Sequence, residues 1–378
     1  MSALRCRFCS AGAGELVLDL GEQPACEYFP SLRDVTVDAV FPLRLWLCAD
    51  CGLVQLADDT DLPDQPEGIE PTALTSQRSD AVAAAHAAGL LPAGATVAEG
   101  ATPHGGSWAT ELAARGLVPV DGDQLADVVV DGSFGMMHAT DQAAALTELV
   151  GRLAPDGVFL FQFHSLAAIL REQQWNAVRL GHYAYYSVPV LQRMLADHGL
   201  AISNAWTFPL YGGTVLIAAR RGGIADASVA TTIRGEIADG VLNPAALRML
   251  QHSVDTSTAA LRALVEDATG AGQKVYGYSA ASRAVALICL AGLRADTLLG
   301  VGDAAPAKHG CRMPGTTIPV LDPTALVAAK PDIVLMFVSD LLPEVRKALP
   351  EIESAGGRFV DPTALAHTPE PTTMGTIA

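Results

Sequence analysis

The chain has 378 residues, half of them apolar, which is enough for two or three globular domains with a sizeable core. It carries 24 Lys and Arg against 41 Asp and Glu, a net charge of −17. That balance argues against bare nucleic acid and anionic membrane as partners, yet leaves room for a small-molecule ligand held by a few local donors. The start, Met1 to Cys6, has no apolar signal segment and no window reaches transmembrane length, so a cytoplasmic protein is expected.

Residues 1–56 form the first expected unit. Cys6-Arg7-Phe8-Cys9 and Cys48-Ala49-Asp50-Cys51 each hold two thiols two residues apart. Such a turn lets both sulfurs face one tetrahedral ion, and Gly52 follows the second pair as the turn favours. Short β-like runs, Glu15 to Leu20 and Phe41 to Leu47, lie between the pairs. A unit this small buries little surface, and structural zinc can supply about 10–16 kcal/mol towards folding it. A redox dithiol pair is the competing reading, and the spacing favours zinc. Of the seven cysteines, Cys26, Cys289 and Cys311 are left over and read as ordinary thiols.

The next expected unit is residues 57–222. Residues 56–75 are acidic and Pro-rich and read as a linker or surface arm; 78–90 read as helix. Strand and helix then alternate: a strand at Ala95 to Ala98, a glycine turn from Gly100 to Gly106, a helix from Ser107 to Arg115, and strands at Val118 to Val120 and Asp127 to Val130. A helix is expected from Gln142 to Leu153. A Pro155-Asp156-Gly157 turn then leads into the strand Val158 to Phe163, and a hairpin of Ser203 to Pro209 with Thr214 to Arg220 closes the block. This pattern predicts a parallel-type α/β sheet ending in antiparallel strands. Glu99, Gly100 and Gly105 at the glycine turn, Asp121 after the next strand and Ser133 after the third stand where a nucleoside cofactor is usually held. His104 in the same turn is a further candidate ligand group.

One stretch, Gln174 to Ser187, packs His182 with Tyr183, Tyr185 and Tyr186 just beyond a buried strand. A histidine there can reach a cleft and move a proton near neutral pH. A satisfied structural histidine with packing tyrosines is the plainer alternative. Residues 223–270 read as a helical connector, with Asn243-Pro244 starting a helix that carries an apolar stripe at Leu247, Leu250, Val254, Leu261, Leu264 and Val265. Residues 271–365 form a second α/β unit, in which Ser282 and Arg283 sit at a strand–helix turn suited to phosphate. Residues 366–378 read as a loose tail.

These parts together resemble the nucleotide-sugar C-methyltransferase family over nearly the whole chain. The resemblance rests on the two cysteine pairs around Leu20-Gly21-Glu22-Gln23-Pro24 and Phe41-Pro42-Leu43-Arg44-Leu45, on Gln174 through Ser187, and on Tyr211-Gly212-Gly213-Thr214. It rests also on Gly277-Tyr278-Ser279-Ala280 with Ser282-Arg283, on Gly302 through Gly310, and on Pro314 through Pro319. It implies a zinc-binding N-terminal domain, a class I methyltransferase-like domain for S-adenosylmethionine (SAM), and a C-terminal Rossmann-like domain. The substrate would be a nucleotide-linked 4-keto-deoxysugar. The resemblance makes His182 the base that removes the proton beside the ketone, with Arg179, Tyr183 and Tyr185 as candidate donors. Tyr278, Ser282, Arg283 and Lys308 become candidate substrate ligands. The departures gather on the cofactor side. Without a gap, Ala98 falls on the family's acid and His104 on its second glycine, and Glu99 and Gly105 are displaced by one. Almost no chain separates Asp121 from Asp127, where the family has a helix, a strand and a helix. Arg179, Leu180 and Gly181 replace Tyr, His and Glu. A SAM-independent epimerase or tautomerase on the same scaffold, and a non-catalytic relative, therefore remain alternatives to methyl transfer.

Overall fold

The β-like runs between the cysteine pairs form one antiparallel ladder. Strand β1 (Gly14–Pro24) pairs with β2 (Val40–Cys48), and β2 pairs with β3 (Val54–Leu56). A distant strand, β8 (Ala184–Tyr185), completes the sheet, with Val54 opposite Tyr185. The structure is a computed structural model and describes residues 4–60, 62, 70–102, 105–122 and 124–362. The chain divides into two units, Met1–Tyr28 with Ala39–Gln251, and Phe29–Asp38 with His252–Ala378.

The rest of the first unit is α/β. In chain order it contains α1 (Thr72–Ala87), β4 (Thr96–Glu99), α2 (Ala109–Ala114), β5 (Val118–Pro119), β6 (Ala126–Asp131), α3 (Gln142–Gly151), β7 (Leu153–His164) and α4 (Leu166–Arg171). After these come α5 (Val188–Ala196), β9 (Leu200–Phe208), β10 (Thr214–Arg221), α6 (Ala227–Ala238) and the start of α7 (Pro244–Gly270). The sheet order is β5-β4-β6-β7-β10-β9, parallel as far as β7 and antiparallel beyond it. The continuous apolar runs of β6 and β7 follow from burial on both faces. Phe159, Phe161 and Phe163 face one core with Met194 and Tyr186, while Val128, Val130 and Leu160 face the other with Trp108 and Leu112. Cys6, Cys48 and Cys51 belong to the first of these cores, so the cysteine unit and the α/β sheet share apolar packing.

Several expected boundaries move. Helix α1 starts at Thr72, inside the stretch read as linker, and α2 starts at Ala109 rather than Ser107. Helix α3 ends at Gly151, and β7 already starts at Leu153. The expected Pro155-Asp156-Gly157 turn is a bulge within that strand: Ala126 pairs with Leu153 but Val128 with Val158. Glycine is required there, because a Cβ at Gly157 would lie 2.9 Å from the Asp127 carbonyl oxygen. Strand β5 pairs with β4 alone and forms the edge of the sheet among the described residues, and the connection from Asp121 to Asp127 is too short to add a strand beyond it.

The second unit is a parallel sheet of β11 (Val275–Tyr278), β12 (Val301–Gly302), β13 (Val320–Leu321), β14 (Ile333–Met336) and β15 (Arg358–Val360), with α8 (Ser282–Ala291) following β11. Its order, β13-β12-β11-β14-β15, reverses direction between β11 and β14. In a doubly wound sheet, ligands bind beyond the carboxyl ends of the strands at such a point. The α7 stripe is buried at Leu247, Leu250, Val254, Leu261 and Val265 and half-buried at Leu264. Among the described residues no helix is long and apolar enough to cross a membrane. His104 and the tail from residue 366 lie outside the described residues.

Candidate active site

The two C-x-x-C turns bring Cys6, Cys9, Cys48 and Cys51 together, all four Sγ atoms lying within 4.8 Å of one another. Cys6 and Cys51 approach to 3.5 Å, and Cys9 and Cys48 to 3.6 Å. Four thiolates bound to one zinc at about 2.3 Å stand about 3.8 Å apart, so the cluster fits the ion. All four ligands come from the protein, which makes the site closed and structural.

The segment carrying His182 is stitched to three elements. Tyr183 N–H donates to Met137 C=O at 2.7 Å, Leu56 N–H donates to Tyr183 C=O at 3.1 Å, and Leu166 N–H donates to Tyr186 C=O at 3.0 Å. His182 is 6% exposed. Its ring meets His138 edge-on, with centroids 4.6 Å apart, and its Nε2 accepts from Arg179 Nε at 2.9 Å. The same Arg179 Nε stands 3.3 Å from His182 Nδ1, so the guanidinium lies against both ring nitrogens. His138 Nδ1 donates to Gly181 C=O at 2.8 Å. Gly181 sits at φ +85°, in the left-handed region that favours glycine.

The tyrosines hold this arrangement. The Tyr185 hydroxyl accepts from Arg179 N–H at 3.0 Å, and burial pushes its pKa up. Tyr183 donates to Thr60 C=O at 3.1 Å. Tyr186 donates to Gln142, whose amide in turn donates to Met136 C=O at 2.8 Å and Ala139 C=O at 2.7 Å, on either side of His138. Cys26 donates to Leu180 C=O at 3.7 Å, and burial pushes its thiol up to about 12, which keeps it protonated. Asp131 accepts from Gly135 and Met136 N–H at 2.8 and 2.7 Å and so shapes the loop bearing His138; burial raises its pKa to about 6 against those two amides. His138 and Gln142 escape the sequence reading. The signal for them was a histidine in the turn after a central strand, just before the Asp141 cap of α3.

On the cofactor side, Glu99, Gly100 and Ser133 collect at the carboxyl ends of β4 and β6, with Gly105 in the turn between β4 and α2. Glu99 is engaged: its carboxylate accepts from Ser107 Oγ at 2.5 Å and Trp108 N–H at 2.7 Å, at the start of α2. Gly100 N–H donates to Val130 C=O at 2.7 Å, and Gly105 stands at φ +69°. Asp121 is exposed just past β5. This set fits a nucleoside cofactor in part: Asp121 can accept from a ribose, and Gly105 and Ser133 can flank it, while Glu99 serves the helix.

In the second unit, Tyr278 packs with Leu326, Val334 and Met336, and its ring lies 2.9 Å from where a Cβ on Gly302 would stand. Tyr278 is thus an aromatic wall more than a surface donor. Ser282 opens α8 and is buried; Arg283 is half-buried next to it. Lys308 Nζ donates to Ala280 C=O at 2.7 Å, stands 3.8 Å from Asp303 and lies 4.7 Å from the Phe29 ring centre. Ser279, missed by the sequence reading, joins this loop. It is 5% exposed, adopts φ +70°, and its Oγ has no hydrogen-bond partner among the described residues. Strain of this kind costs on the order of 1–3 kcal/mol and collects at ligand sites.

Two stretches of the chain match known families. Residues 6–63 match the one described as "Putative zinc binding domain", and residues 209–363 the one described as "C-methyltransferase C-terminal domain". The C-methyltransferase NovU of Streptomyces niveus is 27% identical over 238 residues, which cover 62% of this chain and 56% of that protein. The chain therefore spans little more than half the length of this curated relative. Among solved structures, the N-methyltransferase NodS of Bradyrhizobium japonicum is 13% identical and covers 40% of this chain and 99% of its own, with a TM-score of 0.29. The 1,6-didemethyltoxoflavin-N1-methyltransferase of Burkholderia thailandensis, solved with S-adenosylhomocysteine, is 16% identical and covers 47% and 98%, with a TM-score of 0.27. The cysteine cluster lies in the stretch that matches a zinc-binding domain, residues 6–63, and the stretch that matches a C-methyltransferase C-terminal domain, residues 209–363, contains the parallel sheet of the second unit.

Proposed function

We propose that the protein methylates a carbon beside the ketone of a nucleotide-linked 4-keto-deoxysugar, with His182 as the base. The observation that carries this reading is a buried imidazole held 2.9 Å from a guanidinium, beside the carboxyl-end loop of β6. The substrate ketone takes over the Arg179 N–H as acceptor. That frees His182 Nε2 to take the proton from the adjacent carbon, and Arg179 stays on the oxygen where the enolate charge develops. His138 and Tyr185 keep base and guanidinium in register through Gly181 and the Arg179 main chain. When bound, SAM supplies an electrophilic methyl group; Asp121, Gly105 and Ser133 are the residues that would hold it. Taken by itself, the second unit offers a candidate diphosphate site at the start of α8, with Ser282, Arg283, Lys308 and the Ser279 hydroxyl as donors and Tyr278 as a wall. The test is transfer of isotope-labelled methyl from SAM to a thymidine diphosphate 4-keto-deoxysugar. Labelled sugar supports the reading, and its absence with a range of keto sugars sinks it.

A second reading is favoured by two observations: Glu99 is committed to α2, and among the described residues the sheet stops at β5. In it, the same base and guanidinium epimerise or tautomerise the keto sugar without SAM. Calorimetric titration separates the two. One-to-one binding of SAM favours methyl transfer, whereas nucleotide binding without SAM binding favours the second.

A further inference from the structure

The first C-x-x-C turn contains a residue with work beyond the cysteines. Arg7 lies between Cys6 and Cys9, and its side chain is 8% exposed. Its Nε donates to Leu56 C=O at 3.3 Å, one of its terminal nitrogens to Asp58 C=O at 3.0 Å, and the other to Thr140 C=O at 3.1 Å. The last of these also pairs with the exposed Asp59 at 2.7 Å. The guanidinium carbon stands 4.7 Å from the centre of the Tyr183 ring. The main chain of Arg7 is engaged as well: its N–H donates to Gln55 Oε1 at 2.7 Å, and its C=O accepts from Gln142 N–H at 3.0 Å.

The partners fall into three groups. Leu56 lies on β3, and its N–H holds the Tyr183 carbonyl. Tyr183 adjoins His182. Thr140 and Gln142 follow His138, and the Gln142 amide grips the loop on both sides of that ring. One side chain thus bridges β3, the loop bearing His138 and the segment bearing His182. Its own backbone lies in the C-x-x-C turn, between two cysteines of the cluster. Arginine suits this position because a planar fork with five donors can serve several carbonyls at once and still stack on an aromatic face.

We propose that Arg7 is a positioning residue for His182, through which a metal-closed knuckle sets the geometry of the base. The kinetic part rests on the function proposed above; the mechanical part does not. Arg7→Ala and Arg7→Lys would be compared with the wild type for zinc content, circular dichroism and hydrogen exchange. Arg5→Ala serves as the control, since among the described residues the Arg5 side chain donates to Ser10 C=O alone, at 3.1 Å within the same knuckle, while its main-chain contact with Gln55 is kept. The expected result is full zinc in every variant, with about tenfold faster exchange in Arg7→Ala at residues 138–142 and 183–187 and unchanged protection in β6 and β7. Arg7→Lys should restore part of the protection, and Arg5→Ala should match the wild type. In Arg7→Lys, which keeps the stem and the charge, kcat should fall about tenfold with KM held, because the base is displaced while the sugar site is intact. Wild-type exchange rates in both Arg7 variants would overturn the proposal, as would equal loss in Arg5→Ala. A wild type without turnover would count against the proposed function, and the exchange data would still decide the role of Arg7. If Arg7→Ala fails to fold, Arg7→Lys carries the comparison alone.

Discussion

Glu236 offers a pH effect whose sign and size can be worked out. Its side chain is 4% exposed, accepts from Val188 N–H at 2.6 Å at the start of α5, and lies 3.4 Å from Ser165 Oγ at the start of α4. Burial, with a smaller push from Asp239, raises its pKa from 4.5 to about 7. The folded protein then keeps this proton through a range in which the unfolded chain has lost it. Stability therefore falls as pH rises from the unfolded value towards the folded one, and stays lower above it. At 1.36 kcal/mol per unit, the linkage between pH 5 and pH 8 comes to about 2.5 kcal/mol. Glu236→Gln removes the buried charge and keeps an acceptor for Val188. The variant should gain on the wild type by about that amount across the range, and the general effect of a net charge of −17 cancels in the comparison. Urea unfolding followed by tryptophan fluorescence reads it cleanly, because Trp46, Trp108, Trp175 and Trp206 all lie in the first unit. A difference between variant and wild type that does not change with pH would refute the reasoning.

Other consequences are separately testable. Protein purified without chelator should contain one zinc per chain, and stripping it should loosen the first unit, read as loss of cooperative unfolding; full stability without metal would contradict the cysteine assignment. Ser279→Gly should stabilise the ligand-free second unit by about 1 kcal/mol through relief of the left-handed backbone, and should weaken nucleotide binding; tighter binding would show that the hydroxyl does not face the ligand. Arg283→Ala should weaken a thymidine diphosphate ligand by about 1.5–3 kcal/mol in calorimetry, and unchanged affinity would move the diphosphate away from α8.

The parts of this account that were legible in the sequence have short-range causes. Cysteine spacing located the cluster. The runs Val128 to Val130 and Phe159 to Phe163 located central strands, because residues buried on both faces of a sheet must be apolar without alternation. The short span from Asp121 to Asp127 showed that no further helix–strand–helix could follow β5 there. Illegible parts depend on long-range partners. No local pattern reveals that Tyr185 would pair with Val54, or that Arg7 would lie against Tyr183, since those meetings are made by the fold. His138 was hidden for the same reason: its part in the site comes from a ring 4.6 Å away and 44 positions along the chain. The bulge at Gly157 looked like a turn because proline, aspartate and glycine mark either one.

The central claim is that His182 is a base acting beside a ketone, and proton exchange tests it without requiring methyl transfer. A thymidine diphosphate 4-keto-deoxysugar would be incubated in deuterium oxide with the wild type and with His182→Ala, and the carbon beside the ketone followed by NMR. The account predicts deuterium entry at that carbon with the wild type and only background entry with the variant. Equal exchange by both proteins would remove His182 as the base and contradict the account.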